Sequence, residues 1–230
     1  MESNAPLPPS QALKLYSGKS IGEMIFFFAG IALVGYLSTI LIFLLLIGLD
    51  NGFANARQEI CDTLMSNMFL AIDGGIVTSL MSLMTYDKEI PGGKYFRSVK
   101  GGFETYKKMR IGNLITAITV IFLFTGTICA INAIFPLMIY GTATCVSILI
   151  FLLLGVGVGN LLSMIPSGAI RGGASVIVFF ALDIVGIISV YAAEGKLGIV
   201  QIIAGVIAVV LIPVSYKLMI TNYRKNRWDS

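Results

Sequence analysis

Residues 111–170 have the sequence IGNLITAITVIFLFTGTICAINAIFPLMIYGTATCVSILIFLLLGVGVGNLLSMIPSGAI, which is sixty residues without a charged side chain. A helix that crosses a membrane needs about 20 mostly apolar residues, so this run is too long for one span. Asn132 and Pro136 mark the turn within it, because both residue types favour breaks between helices. The stretch therefore predicts two membrane-spanning helices joined by a short link.

The composition of the whole chain agrees with a membrane protein. Of its 230 residues, 57% are hydrophobic and 12% are charged, and the mean hydropathy is +0.90. A soluble domain is usually about 45–50% apolar and about 25% charged. The apolar stretch from Met24 to Leu49 exceeds the roughly 7–15 apolar residues of a signal peptide, so we expect it to stay in the membrane as a span.

We predict an all-α, polytopic fold with six membrane-spanning helices in a domain at residues 21–221. An N-terminal segment at 1–20 precedes this domain and includes a short amphipathic helix at Gln11 to Lys19, which would form an elbow in the membrane interface. A basic tail at 222–230 follows it. The six spans are predicted at about residues 22–48, 64–85, 111–132, 138–162, 173–192 and 198–218.

The basic residues predict the orientation of these spans. Fourteen of the 16 Lys and Arg residues fall on one side, and only Arg57 and Lys196 fall on the other. Basic residues collect in the cytoplasmic loops of membrane proteins. We therefore predict a multi-pass protein of the cell membrane with both termini in the cytoplasm.

The sequence offers little that could carry catalysis or bind a metal. Histidine is absent, and the three cysteines, Cys61, Cys129 and Cys145, form no C-x-x-C pair, so we interpret them as structural residues. The segment at 18–20, Gly-Lys-Ser, resembles the end of a phosphate-binding loop, but Leu13 stands where that motif requires a glycine. We expect no ATPase site, no cofactor and no metal in this chain.

The predicted cytoplasmic loop at 87–110 has an amphipathic pattern. Apolar residues recur at helical spacing between basic ones, which predicts a short helix at 94–108, broken at Gly101-Gly102. Two interpretations stay open: the helix docks into a soluble partner, which we favour, or it lies on anionic lipid headgroups. Nucleic-acid binding is not indicated, because topology alone accounts for a basic loop beside the membrane. The candidate contact residues are Tyr95, Phe96, Arg97, Val99, Phe103 and Tyr106.

Two carboxylates fall near the middle of predicted spans, Asp73 in the second and Asp183 in the fifth. A charge at this depth costs about 2.5–3.5 kcal/mol even on insertion scales, and no basic residue lies at a matching depth. A neutral, hydrogen-bonded carboxyl that holds helices together is one interpretation. The other is a functional role, in which the two residues line a translocation path or form a proton site.

The layout of the chain resembles the small six-span permease subunits of type-2 ABC exporters, which serve bacterial peptide-toxin and bacteriocin export. The resemblance covers the whole chain: an N-terminal elbow, a basic glycine-rich loop between spans two and three, short external links and a basic tail. The nearest local likeness is the segment PGGKYFRSVKGGF at residues 91–103. The link at 193–197 is too short for the re-entrant helices common in larger members, so their extracellular gate is not carried over.

This resemblance implies a transport subunit without an enzyme activity of its own. A separate ATP-binding subunit would bind ATP and Mg and contact the loop at the six residues named above. A second permease copy, identical or sister, would complete a path through the membrane lipid. The implied substrate is a peptide or another amphipathic or hydrophobic molecule that is moved out of the cell.

Two further functions remain open. A secondary transporter or channel would use Asp73 and Asp183, although the spans show no obvious internal repeat. A membrane accessory protein without a transport role is the third possibility. A gene for an ATP-binding protein beside this one would favour the exporter over both.

The predicted topology can be tested by labelling introduced cysteines in intact cells. Cysteines that replace Asn55 or Gly195 are expected to react with a membrane-impermeant thiol reagent, because both positions are predicted outside. Cysteines at Ser98 or Asn226 are expected to react only after the cells are opened. The unmodified chain sets the background, and labelling of Ser98→Cys in intact cells would reverse the orientation.

Overall fold

A computed structural model describes residues 7–52, 59, 101–138, 140–165 and 167–225. All regular secondary structure in these residues is helical, which confirms the all-α prediction for the described part of the chain. We number the described helices in chain order. They are α1 (Pro9–Ser17), α2 (Ile21–Asn51), α3 (Gly102–Ile134), α4 (Gly141–Leu162), α5 (Gly168–Ala192) and α6 (Ile199–Tyr223).

Five of these helices, α2 to α6, are long and apolar enough to cross a membrane. They correspond to the predicted first, third, fourth, fifth and sixth spans, and support a multi-pass membrane protein. The predicted span at 64–85, and with it Asp73, lies outside the described residues. Apart from the start of α3, the largest differences at the helix ends are at α5, which begins at Gly168, and α6, which continues to Tyr223.

The start of α3 differs from the sequence-based expectation. The third span was predicted to begin at residue 111 after a separate loop helix, whereas α3 runs without interruption from Gly102 to Ile134. The physical reason lies at Gly101, whose φ of 79° is a left-handed conformation that ends one segment and lets a new helix start. Phe103 and Tyr106 therefore belong to the same helix as the third span.

The N-terminal helix α1 packs against protein. Pro9 begins it, since proline is favoured in the first helical turn, and Gly18 ends it with a φ of 75°. This helix was predicted to form an elbow in the membrane interface, but its Leu13 and Tyr16 are buried in the protein core, and Leu13 lies against the first half of α3. The contact is close, because a Cβ added to Gly112 of α3 would lie 3.0 Å from the Pro9 carbonyl oxygen.

Helix α2 begins at a capping box that follows α1 directly. The Glu23 carboxylate accepts a hydrogen bond from the Ser20 backbone N–H at 2.6 Å, and the Ser20 hydroxyl accepts one from the Glu23 N–H at 3.3 Å. These reciprocal bonds satisfy backbone groups that a helix start leaves free. Glu23 thus has a local structural role. One stripe of α2 is buried, formed by Met24, Phe28, Ala32, Tyr36 and Ile40.

Helix α4 lies at the centre of the described bundle, in contact with α3, α5 and α6. Its closest partner is α6, because Gly157 allows the two backbones to approach at Leu211. One turn further along, the Asn160 side-chain amide donates a hydrogen bond to the Ser215 hydroxyl at 3.2 Å. Small residues and one polar pair therefore join these two helices.

Helices α3 to α6 alternate in direction, and α2 starts at the same end as α3, so the described basic residues gather at one end of the bundle. We call this the basic end; it holds α1, the starts of α2, α3 and α5, and the end of α6. The opposite end, the turn end, holds the links between α3 and α4 and between α5 and α6. Among the described residues, only Lys196 is a basic residue at the turn end. The basic end carries Lys14, Lys19, Lys107, Lys108, Arg110, Arg171, Lys217, Arg224 and Lys225.

The contact between α4 and α6 predicts a position-specific effect of added methyl groups. Gly157→Ala should lower the free energy of unfolding by about 1–3 kcal/mol, because the new Cβ would lie about 3 Å from three atoms of Leu211. Gly205→Ala is the matched control, since its nearest atom would be 3.8 Å away. Thermal unfolding in detergent measures both. Equal melting temperatures of the two variants would contradict the packing. Adding Leu211→Ala to Gly157→Ala should recover part of the lost stability.

Candidate functional site

One face of α5 carries polar side chains into the interior of the bundle. Arg171, Ser175, Phe179 and Asp183 follow one another at intervals of four residues, which places them on one side of a helix. All four are buried, with at most 3% of each residue exposed. We call this row the polar stripe. It leads from the basic end of the bundle to the middle of α5.

Asp183 is the most unusual member of the polar stripe. It is only 1% exposed, and neither carboxylate oxygen has a hydrogen-bond partner within the described part of the chain. Burying a polar group without a partner costs free energy, and a carboxylate costs more than a neutral group. In a membrane, ionisable residues of this kind usually face a bundle interior or a water-filled cavity. Among the described residues, nothing offsets this cost.

The next turn of α5 shows how polar groups in the same region are otherwise satisfied. The Ser147 hydroxyl of α4 donates a hydrogen bond to the Gly186 carbonyl at 2.8 Å, and Ser189 donates to the same carbonyl at 2.7 Å. Gln201 of α6 donates its side-chain N–H to Ser189 and accepts from the Gly198 N–H at 2.9 Å. This network joins three helices one turn away from Asp183, whose carboxyl has no partner among the described residues.

A second group of side chains ties α3 to α6 at the basic end. The rings of Tyr106 and Tyr223 stack with centroids 3.9 Å apart and planes 13° from parallel. Arg110 donates a hydrogen bond from Nε to the Tyr106 hydroxyl at 2.7 Å. The Tyr216 hydroxyl donates to the Lys107 carbonyl at 3.1 Å. The start of α3 and the end of α6 are therefore connected by both ring packing and hydrogen bonds.

The side chain of Phe103 is less buried than that of Tyr106. Tyr106 is fully buried and its ring is in contact with Tyr223, so in this structure it is turned into the chain. Phe103 is half-buried, with Lys107 Nζ 5.0 Å and the Arg224 guanidinium 5.7 Å from its ring centroid. The other four candidate contact residues, Tyr95, Phe96, Arg97 and Val99, lie outside the described residues.

The structure adds residues that the sequence did not single out. Arg171 and Ser175 share the four-residue spacing of Asp183, so a search along one helix face could have found them. Tyr223 could not be found this way, because its contact with Tyr106 joins residues more than a hundred positions apart. The residues of the described segments include no group of three or more His, Cys, Asp or Glu side chains placed to hold a metal ion.

Comparison with protein-family models, with curated proteins and with solved structures found no match for this chain. A functional argument therefore rests on the placement of its own residues.

The isolated carboxyl of Asp183 predicts an unusual tolerance to substitution. Asp183→Asn should fold with an unchanged or raised melting temperature, because no hydrogen bond among the described residues is lost and a chargeable group is removed from an apolar site. Ser147→Ala is the control: it removes the bond to Gly186 and should cost about 0.6 kcal/mol. Thermal unfolding in detergent compares the two variants. A larger loss in Asp183→Asn would assign the carboxyl a structural partner.

Proposed function

We propose that this chain is the transmembrane permease subunit of an ATP-driven ABC exporter in the cell membrane. It would move a peptide or another amphipathic or hydrophobic molecule out of the cell, together with a second permease copy. A separate ATP-binding subunit would bind ATP and Mg and supply the energy. The observation that carries this proposal is the continuity of α3, which joins the exposed basic end to the membrane-spanning part without a break.

The placement of charge supports a cytoplasmic basic end. Basic residues concentrate in cytoplasmic loops of membrane proteins, and the described Lys and Arg residues, apart from Lys196, meet at this end. The exposed surface there is where a soluble ATP-binding subunit would have access. The turn end consists of short links and offers no comparable docking surface in the described residues.

The described helix ends also support a further span. Helix α2 ends at the turn end with Asn51, whereas α3 begins at the basic end with Gly102. These positions favour an odd number of crossings between the two helices. One additional crossing is the simplest connection and agrees with the proposed span at 64–85, which gives six in total.

A rigid connection explains how a partner at the basic end could act on the membrane helices. A push on Phe103 would be transmitted along α3, since a continuous helix resists bending better than a helix followed by a loop. The Tyr106–Tyr223 stack and the bond from Tyr216 to Lys107 would pass the same motion to α6. Helix α1 would follow because it packs at Gly112. Among the described residues, we therefore propose Phe103 as the contact with the ATP-binding subunit.

The polar stripe supports a path through the bundle or along its interface with a second copy. Asp183 provides a polar point at mid-depth without a partner in the described residues, and it could contact polar or cationic groups of a substrate. Asp73 would contribute from the second span. Most of the remaining surface of α2 and α6 is apolar, which suits contact with lipid or with another membrane helix.

The same carboxyl favours one alternative function, a secondary transporter or channel that uses Asp73 and Asp183. In that case an ion gradient would drive transport, and no ATP-binding subunit would be needed. The two functions differ in whether an ATP-binding subunit co-purifies with the protein. They also differ in whether ATP or an ion gradient drives transport.

The test combines purification from native membranes with transport into inverted vesicles. In mild detergent, the tagged chain is expected to recover an ATP-binding subunit, identified by mass spectrometry. Phe103→Ala should lower this recovery severely, since a central aromatic contact is worth about 2 kcal/mol or more. Phe122→Ala is the matched control, because Phe122 lies on the same helix with an exposed apolar side chain. Lys107→Gln with Lys108→Gln should have little effect, as exposed ion pairs are worth about 0–1 kcal/mol.

Transport is then measured with a panel of labelled amphipathic peptides in the same vesicles. The native protein should show uptake that depends on ATP, and Asp183→Asn should retain the ATP-binding subunit but lose uptake. Uptake that continues without ATP and stops when the proton gradient is dissipated would establish the secondary transporter instead. Failure to recover any ATP-binding subunit with the native protein would overturn the exporter proposal.

A further inference from the structure

Asp183 is enclosed within a single copy of the chain. The residue is 1% exposed, and neither carboxylate oxygen has a hydrogen-bond partner among the described residues. Lipid headgroups and the side chains of a second copy cannot touch a carboxyl that is covered in this way. A charge on Asp183 must therefore be balanced from inside the bundle or by an ion small enough to enter it.

Within the described residues, α5 packs mainly on α4 and α6. The titratable residue of α4 is Cys145. It lies nearer the turn end than Asp183, because Ser147 of the same helix already bonds to Gly186, one turn beyond Asp183. A thiol at that depth is not placed to balance a carboxylate at position 183.

The titratable residues of α6 lie toward the basic end, and they are Tyr216, Lys217 and Tyr223. The bond between Gln201 and Ser189 near the turn end sets the register of α6 against α5. Counting along both helices from this bond places the three residues about 10 Å or more from the depth of Asp183. On α5 itself, Arg171 and Tyr191 are about 18 Å and about 12 Å away along the axis. Among the described residues, no cationic side chain therefore lies at the depth of Asp183.

The oxygen atoms on the next turn of α5 are already used in hydrogen bonds. The Gly186 carbonyl accepts from Ser147 at 2.8 Å and from Ser189 at 2.7 Å. A metal ion at Asp183 would need several further oxygen ligands. The described segments place no group of three or more His, Cys, Asp or Glu side chains to hold one. A proton needs no further ligand, since it bonds to the carboxylate oxygen itself.

We propose that Asp183 is a proton-binding site, which holds one exchangeable proton as the neutral acid and exchanges it through the turn end of the bundle. Binding converts the carboxylate and one proton into a carboxylic acid, and release returns that proton to water at the turn end. Burial favours the neutral acid, because a buried charge without a partner costs far more than a buried neutral group. The inference goes beyond the proposed function, since a proton at this position is compatible with either energy source.

Polar groups continue from Asp183 toward the turn end. The Gly186 carbonyl with its two hydroxyl partners is one helical turn away, which is about 4.5 Å along the axis. Ser189 bonds in turn to Gln201, and Gln201 accepts from the Gly198 N–H at the link. A serine hydroxyl both donates and accepts hydrogen bonds. This series of groups therefore leads from the link to within one turn of Asp183.

Toward the basic end, the polar stripe is interrupted. Phe179 occupies the turn next to Asp183 and is 1% exposed, and its phenyl ring provides no hydroxyl or amide to pass on a proton. The next hydroxyl of the stripe, that of Ser175, is about 12 Å from Asp183 along the helix axis. The two sides of the carboxyl are therefore unequal, and the shorter gap is on the turn-end side.

The first measurement establishes whether Asp183 carries a proton. The infrared difference spectrum of native protein minus Asp183→Asn, in detergent at neutral pH, should contain the C=O stretching band of a protonated carboxylic acid, which D2O shifts. Glu104→Gln is the control, because Glu104 is exposed and paired with Lys107 at 2.6 Å, and its difference spectrum should show carboxylate bands. Carboxylate bands for Asp183 would overturn the proposal.

A carbodiimide provides a second measurement that needs no variant. Dicyclohexylcarbodiimide takes up the proton of a neutral carboxyl on one nitrogen while the carboxyl oxygen bonds to its central carbon. The acyl group then moves to the other nitrogen, so the peptide gains the whole mass of the reagent. Mass spectrometry of the native protein should find this adduct on Asp183, and an unmodified Asp183 peptide would contradict the proposal.

The route is tested by the rate of hydrogen–deuterium exchange of the same infrared band. Ser189→Ala should slow the exchange several-fold, and Ser189→Thr, which keeps the hydroxyl, should restore it. Ser175→Ala is the matched control on the other side of Asp183 and should leave the rate unchanged. Faster exchange in Ser189→Ala, as loosened packing would produce, or equal slowing in Ser175→Ala would overturn the turn-end route. None of these measurements involves ATP or transport, so they leave the proposed function to its own test.

Discussion

Several helices of this protein have apolar faces that are not covered by other parts of the described structure. The need to surround these faces with lipid constrains the rest of the fold. Phe26 of α2 is 84% exposed and Val209 of α6 is 74% exposed, and many large apolar side chains on these helices share that exposure. Such faces are stable in lipid, where exposing them costs nothing, and unstable in water. Lipid, however, offers no hydrogen bonds, so every backbone group must find its partner within the protein. Long continuous helices meet both demands, which explains why the described secondary structure is helical throughout.

The same constraint decides where polar side chains can lie. Serine and threonine hydroxyls bond to carbonyls of their own helix or, as Ser147 does with Gly186, to a neighbouring helix. Asn132 occupies the α3–α4 link, where it satisfies two free N–H groups. Two neutral hydroxyls, those of Thr125 and Thr144, also lack partners among the described residues, but neutral groups cost less to bury. Asp183 is the costly exception among the described residues, and this cost is the physical reason for the proposal that it lines a path.

Contacts at the basic end give the described bundle a mechanical connection between its helices. Helix α1 packs on α3, and α3 is joined to α6 by the stacked tyrosines. At the turn end, the Asn132 side chain accepts two hydrogen bonds in the link and so holds the end of α3 close to the start of α4. A force on the start of α3 would therefore act on α1, α4 and α6 together. The proposed exporter, driven by a soluble subunit, would require this kind of connection.

The sequence by itself determined the helical class, five of the described spans to within a few residues of most ends, and the collection of basic residues at one end. These features follow from local hydropathy and charge, which are properties of neighbouring residues. Only the tertiary structure decided that α3 continues back to Gly102, that Leu13 and Tyr16 are buried in the protein core, and that Tyr106 is turned toward Tyr223. It likewise left Asp183 without a partner among the described residues. Such features depend on which helix faces meet, and a helix of nearly uniform apolar composition does not reveal its packing face in its sequence.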